Sequence, residues 1–267
     1  MLKRLFQRSR ASLPSEPTIA GRPPAVPRGL RAYVVGDIHG RHDLLQMMER
    51  MIVDDVRETG RHLDCIVVHL GDYVDRGFES SKVVEHLLQV PADGLPRVHL
   101  LGNHDLWLRE FLNASDQSPE AAASWLRFGG DATLLSYGVK LDLKKPEPER
   151  FVDARLQLEN RLPPEHEAFL AELELAFSLG DYFFCHAGIR PDLPLERQSE
   201  AELLWIREPF LSWTGDCGKI IVHGHTVEET PVVRSNRIGI DTGACWTGRL
   251  TCLVLEGTGR RFLHTGR

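Results

Sequence analysis

The chain has 267 residues, of which 42% are hydrophobic and 26% charged, with a formal net charge of −6. That is enough apolar material for one α/β domain with a sizeable core, and the acidic balance excludes a protein built to coat nucleic acid, which is ordinarily basic. The five cysteines form no C-x-x-C pair, which excludes a zinc ribbon or a disulfide framework and points to a reducing, cytoplasmic setting.

Met1 to Gly29 begins basic, with Lys3, Arg4, Arg8 and Arg10, and continues rich in proline. It lacks the apolar stretch of a secretory signal and is expected to be a disordered tail. Leu2, Leu5 and Phe6 beside the four cations suggest a second reading, a weak contact with an anionic membrane. No run approaches the roughly 18 apolar residues of a membrane span.

The folded domain is expected over 30–267. Arg31 to Val35 is short, apolar and β-branched and ends at Gly36-Asp37, which predicts a strand. Asp43 to Val56 carries Leu44, Leu45, Met47, Met48, Met51, Ile52 and Val56, a helical spacing. Cys65 to Leu70 predicts a buried strand, Ser80 to Val90 a helix and Arg97 to Leu101 a third strand. This β-α-β-α-β order implies a parallel sheet with right-handed crossovers. Residues 106–180 are expected to be a mostly helical insertion or cap, broken at Gly129-Gly130 and over Lys144 to Glu149. Tyr182 to Cys185, Lys219 to Val222, Val232 to Ile240 and Leu250 to Leu255 predict short strands of a second sheet. Cys65 and Cys185 lie in apolar runs and are expected to be buried.

Polar, glycine-flanked islands follow these strands. They are Gly36-Asp37-Ile38-His39-Gly40, Gly71-Asp72-Tyr73-Val74-Asp75-Arg76-Gly77 and Gly102-Asn103-His104-Asp105, then His186-Ala187-Gly188 and His223-Gly224-His225-Thr226. Ligands of open α/β sheets collect at the carboxyl ends of strands, so these loops are expected to meet. One Asp or His at such a place is ordinarily a turn residue or a core histidine. Five islands together point to chemistry. Pooled, they offer Asp, His, Asp, Asn, His and His, a donor set suited to manganese, iron or zinc. Six donors exceed one tetrahedral site and suffice for two ions that share a carboxylate. Such ion pairs, about 3.5–4 Å apart, clamp both oxygens of an in-line displacement.

GDIHG, GDYVDRG, GNHD, HAG and GHT closely resemble the motifs of the phosphoprotein phosphatases within the calcineurin-like metallophosphoesterases. Gly129 to Leu134, Leu204 to Arg207 and Ile240 to Ala244 look like bacterial and phage members. The resemblance implies an α/β sandwich of two central sheets flanked by helices. It implies a first divalent ion held by Asp37, His39 and Asp72, and a second held by Asp72, Asn103, His186 and His225. The ions would most often be manganese, with iron or zinc as alternatives. His225, rather than His223, takes the histidine position of the family motif, which leaves His223 behind the ligands. Arg76 would grip the phosphate with Asn103 beside it. Arg207 resembles the second phosphate arginine, with Arg190 as a competing candidate. His104 would be the general acid, oriented by Asp75. Asp241 is expected to be structural.

The resemblance implies a serine/threonine protein phosphatase, acting on phosphoproteins or phosphopeptides through a hydroxide shared by the two ions. One departure qualifies the substrate. Many eukaryotic members read GNHE, whereas GNHD also occurs in the symmetrical diadenosine tetraphosphatases, so a dinucleoside polyphosphate is the alternative substrate. Those relatives read closer to GDLVARG and lack the residue found here as Asp75. A third reading, a phosphoprotein-binding member without activity, requires a broken site, and every expected metal position is filled.

Overall fold

The computed structural model describes residues 16–89, 94–113 and 119–266. The first sheet is built from β1 (Leu30–Val35), β2 (Asp64–His69), β3 (Arg97–His99), β9 (Thr251–Glu256) and β10 (Gly259–His264), in the order β10-β9-β1-β2-β3. β1, β2 and β3 run parallel, and β9 and β10 add antiparallel strands at the β1 edge. The second sheet has the order β4-β5-β6-β8-β7, from β4 (Ala176–Leu179), β5 (Tyr182–Cys185), β6 (Ile220–His223), β7 (Val232–Val233) and β8 (Arg237–Gly239).

Side-chain alternation along the strands explains how the sheets stack. Ala32 and Val34 of β1, Val68 of β2, Tyr182 and Phe184 of β5, Ile220 and Val222 of β6, and Leu253 and Leu255 of β9 form one cluster between the sheets. The residues that alternate with them along each strand face outward. Tyr33, Val35, Val67 and Val254 pack under helices α1 (His42–Asp55) and α2 (Ser80–Leu88). Phe183, Cys185 and Ile221 pack against α8 (Glu200–Trp205) and Phe210. Both sheets are thus apolar on both faces, which is why their strands are near-continuous apolar runs.

The stretch expected as an insertion contains α3 (Asn103–Asn113), α4 (Pro119–Trp125), a π-helical turn (Leu126–Gly130), α5 (Asp131–Ser136), α6 (Glu147–Glu159) and α7 (Pro164–Glu172). Leu108, Phe111, Trp125, Leu134, Leu158 and Phe169 enter the same outer core as Tyr73 and Val83. The helical stretch therefore completes the layer on the first sheet, with β4 following it.

Three expectations need correction. Residues 16–29 are not a free tail: Ile19 and Val26 are buried in the inter-sheet cluster. Thr18 N donates to Ser235 O, Val26 N to Gly257 O and Ala25 N to the Asp181 carboxylate, and Arg22 pairs with Asp181 at 2.6 Å. Two apolar residues among prolines were enough to tie the segment down. The reading of Lys3, Arg4, Arg8 and Arg10 with Leu2, Leu5 and Phe6 falls outside the described residues. Val232 to Ile240 is two strands, because the turn between them turns Asn236 Nδ2 to the carbonyls of Trp213 and Gly215. Two strands, β4 and β10, went unread; both pair antiparallel with a neighbour close in sequence. Among the described residues no helix is long and apolar enough to cross a membrane.

Candidate active site

The five islands converge at the carboxyl ends of β1, β2, β3, β5 and β6. Close backbone approach brings the second and third loops together. A Cβ on Gly102 would lie 2.1 Å from Asp72 N, and Gly71 adopts φ +95° against Gly102. Asp105 fastens the same junction. Its carboxylate is fully buried and accepts from the amides of Gly102 at 3.0 Å, Asp72 at 2.7 Å and Tyr73 at 2.9 Å.

The backbone is strained at the centre. Among the described residues six non-glycine residues have left-handed φ, and five of them are His39, Asp72, Asp75, Arg76 and His225. Such conformations cost about 1–3 kcal/mol each and persist where the surroundings over-determine them, as functional sites do.

Asp72 sits in the middle. Its Oδ1 accepts from His104 N at 3.0 Å and lies 3.5 Å from His186 Nε2, and its Oδ2 lies 3.3 Å from His39 Nε2. Two groups of donor atoms lie within 4.8 Å of one another, His39–Asp72–His104 and Asp37–Asp72–His186, and Asp72 belongs to both. Asn103 Oδ1 stands 2.9 Å from both His186 Nε2 and His225 Nδ1. Asp37 Oδ2 accepts from His225 N at 3.0 Å, while its Oδ1 is buried without a partner.

The donor set fits divalent cations. His39 Nδ1 donates to Val74 O and His186 Nδ1 to Leu70 O, both at 2.9 Å. This leaves each Nε2 lone pair facing the centre, the arrangement seen when a carbonyl orients a ligand imidazole. Burial holds the imidazoles of His39, His186 and His225 below the ordinary histidine range, so they are neutral, as ligation requires. Burial, followed by the Asp241 and Asp72 carboxylates, pushes Asp37 well up. Burial opposes ionisation of Asp72 as well, yet the surrounding His186, His104 and His39 hold it low. Asp241 is pushed up to about 6 by burial; its Oδ1 accepts from Gly243 N at 2.9 Å and its Oδ2 has no partner. Two buried carboxylates with unpartnered oxygens, Asp37 and Asp241, beside Asp72 and neutral imidazoles make a site for positive charge.

His104 falls within one of the donor groups but is engaged otherwise. Its Nδ1 donates to Asp75 Oδ2 at 2.7 Å, and its Nε2 accepts from Arg76 at 2.9 Å. The second guanidinium nitrogen of Arg76 bonds His39 Nε2. Asp75 is fully buried, which pushes its carboxyl up, against the pull of His104. Trp125 Nε1 donates to Asp75 Oδ2 at 2.9 Å and Thr133 Oγ1 to Oδ1 at 2.6 Å, so the carboxylate is satisfied on both oxygens. The sequence carried no signal for Trp125, and Thr133 stood only within a family-like stretch.

The two competing arginines are placed differently. Arg207 Nε reaches His225 Nε2 at 3.4 Å. Arg190 bonds Asp192 at 2.8 Å and approaches Glu202 at 3.6 Å, half exposed. His223 turns from the centre: its Nε2 meets Arg237 at 3.2 Å and its ring packs on Phe210. Trp246, unremarked in the sequence, lies under the Arg76 guanidinium at 4.7 Å.

Residues 30–246 match the family model described as calcineurin-like phosphoesterase. The chain is similar to serine/threonine-protein phosphatase 2 of Escherichia coli (strain K12), at 27% identity over 225 residues, covering 82% of this chain and 90% of that relative. It is similar to the symmetrical bis(5'-nucleosyl)-tetraphosphatase of Actinobacillus succinogenes, at 28% identity over 272 residues, covering 84% and 93%. A solved structure described as a candidate diadenosine tetraphosphatase superposes with a TM-score of 0.58 at 22% identity, covering 89% of this chain and 94% of that chain, which shows the shared fold.

Proposed function

As a member of the calcineurin-like phosphoesterase family this chain is a metallophosphoesterase hydrolase, and we propose that it removes phosphate from phosphoserine and phosphothreonine in proteins. Asp37, His39 and Asp72 hold one divalent ion, and Asp72, Asn103, His186 and His225 hold the other, with manganese as the metal used. When bound, such ions supply Lewis acidity and lower the pKa of water to near neutrality. Arg76, Arg207 and Asn103 bind the phosphoryl oxygens; a guanidinium fork matches two of them at once.

The observation that carries the reading is the pairing of His104 with the buried Asp75 at 2.7 Å. Asp75 holds the imidazole with Nδ1–H inward, so Nε2 is the atom that gives its proton to the leaving oxygen. A protonated His104 has no lone pair left for Arg76, so the guanidinium turns to the phosphoryl group as the acid is loaded. A serine alkoxide is a poor leaving group and needs that proton. One placed acid contributes about 10²–10⁴-fold. A nucleotide phosphate departs with far less help.

A second reading, hydrolysis of dinucleoside polyphosphates, is favoured by the likeness to the symmetrical bis(5'-nucleosyl)-tetraphosphatase and by the GNHD motif that ends at Asp105. Initial rates on a phosphoserine peptide and on diadenosine tetraphosphate, measured in parallel with manganese, separate the two. Faster turnover of the peptide is expected. Cleavage of the dinucleotide orders of magnitude faster overturns the proposal in favour of the second reading.

A further inference from the structure

The outer face of the second sheet carries a cavity of about 480 Å³ that the proposed reaction does not use. Side-chain alternation builds it. Val222 of β6 and Ile238 of β8 point into the inter-sheet cluster, so His223 and Arg237 face the other way and line the cavity. No metal donor lines it, although Thr226 follows His225 and Glu208 follows Arg207.

The charges in this cavity are uncompensated. Arg237 is only 6% exposed. Its Nη1 meets His223 Nε2 at 3.2 Å, its Nη2 donates to Leu211 O at 3.0 Å, and its Nε has no partner. Burial, followed by Arg237, holds His223 down to about 3, so that imidazole is neutral. Burial, followed by Arg234, pulls the Arg237 guanidinium down to about 10, against the pull of Glu228 and Glu208. A buried guanidinium whose partners are all neutral is costly. Thr226 Oγ1, on the same lining, is also buried without a partner. Arg234 and Glu228 line the cavity half-buried and Glu208 stands exposed at its rim. Among the described residues none of Arg234, Arg237, Glu208 and Glu228 is in an ion pair, so two cations and two carboxylates share one cavity without contact. A plain anion would satisfy the arginines and leave the glutamates uncompensated, and a plain cation would do the reverse. A molecule with one charge of each sign satisfies both. The volume lies in the range of small-molecule sites, and Leu211 and Val232 supply apolar lining.

We propose that this cavity binds a small zwitterion of the amino-acid type. Its carboxylate lies between the Arg237 and Arg234 guanidinium groups, with Thr226 Oγ1 as a further donor. Its ammonium meets Glu228 and Glu208, and a branched apolar side chain rests on Leu211 and Val232. A guanidinium fork matches a carboxylate bidentately, which fixes the direction of the bound molecule.

Calorimetry on the manganese-loaded protein tests this with three probes. They are L-leucine, isocaproate, which is leucine without its ammonium, and isoamylamine, which is leucine without its carboxylate. L-leucine is expected to bind at least about tenfold more tightly than either analogue, the size of one charge-assisted contact. Arg237→Gln and Glu228→Gln are each expected to weaken leucine by at least about tenfold. Isocaproate should lose affinity with Arg237→Gln and keep it with Glu228→Gln. Arg234 is half-buried and carries no structural contact of its side chain, so Arg234→Gln keeps the test open if Arg237→Gln folds poorly. No binding of leucine at about 10 mM overturns the proposal. So does leucine affinity that survives all three substitutions, which would place the amino acid on the metal ions instead. Either analogue binding as tightly as leucine overturns the zwitterion as the ligand.

Discussion

Asp75 Oδ2 lies 2.7 Å from His104 Nδ1 and 2.9 Å from Trp125 Nε1, and burial removes all of these atoms from water. A carboxylate so held fixes both the tautomer and the direction of the imidazole. The consequence is kinetic. His104→Ala is expected to lower turnover of a phosphoserine peptide by about 10²–10⁴-fold and that of p-nitrophenyl phosphate far less, because nitrophenolate leaves unaided. Asp75→Ala should cost at least about tenfold on the peptide. Equal losses on both substrates would assign His104 a purely positional role.

Asp72 contributes an oxygen to each of the two donor groups. Asp72→Asn is therefore expected to weaken both metal sites, whereas His225→Ala weakens one. Metal content after gel filtration reads this directly, with activity as a second measure. Chelation should abolish hydrolysis and manganese restore it. Full activity after exhaustive chelation would remove the metal from the mechanism.

Arg207 reaches His225, while Arg190 is spent on Asp192 and Glu202. Arg207→Ala is expected to raise KM and lower kcat/KM by at least about tenfold, about the size of one charge-assisted contact. Arg190→Ala should leave both near wild type. The opposite ranking would reassign the second phosphate arginine.

Asp105 accepts from four buried amides, those of Asp72, Tyr73 and Val74 on one strand-end loop and Gly102 on the next. Leaving such groups unpartnered costs about 1–3 kcal/mol each. Asp105→Ala should therefore lower the unfolding free energy by several kcal/mol in equilibrium urea unfolding and weaken metal binding through the displaced Asp72 loop. A neutral result would mean that water replaces the carboxylate without loss.

His69 and His99 stack in the interior with ring centroids 4.9 Å apart, and neither nitrogen of His69 has a partner. Burial, assisted by Arg97, lowers His99 from 6.5 to about 4, and burial lowers His69 well below its ordinary value. Both are neutral in the fold, whereas the unfolded chain binds their protons below about 6.5. Stability is therefore present above that pH and declines as pH falls toward about 4. Each proton contributes a slope of up to about 1.4 kcal/mol per pH unit. His69→Leu should flatten urea-unfolding stability between pH 6.5 and pH 4. An unchanged slope would place the acid sensitivity elsewhere.

The sequence by itself determined the alternation of strands and helices in residues 31–101, the strand-end loops and the Asp, His and Asn side chains that those loops carry. Strand parity, glycine punctuation and motif spacing are local properties, and local properties survive in a linear reading. It also placed Asp37, His39, Asp72, Asn103, His186 and His225 in loops that the fold brings together. Tertiary structure alone decided the rest. Trp125 and Thr133 complete Asp75 from across the helical layer, Asp105 ties one loop to another, and Arg207 rather than Arg190 turns to His225. Arg237, Glu208 and Glu228 belong to three separate segments and line one cavity only when those segments pack. No period or spacing encodes such contacts, because each joins side chains whose separation along the chain is unrelated to their separation in space. The segment 16–29 teaches the same lesson at small scale: two apolar side chains, Ile19 and Val26, found a cleft between sheets that no local pattern could announce.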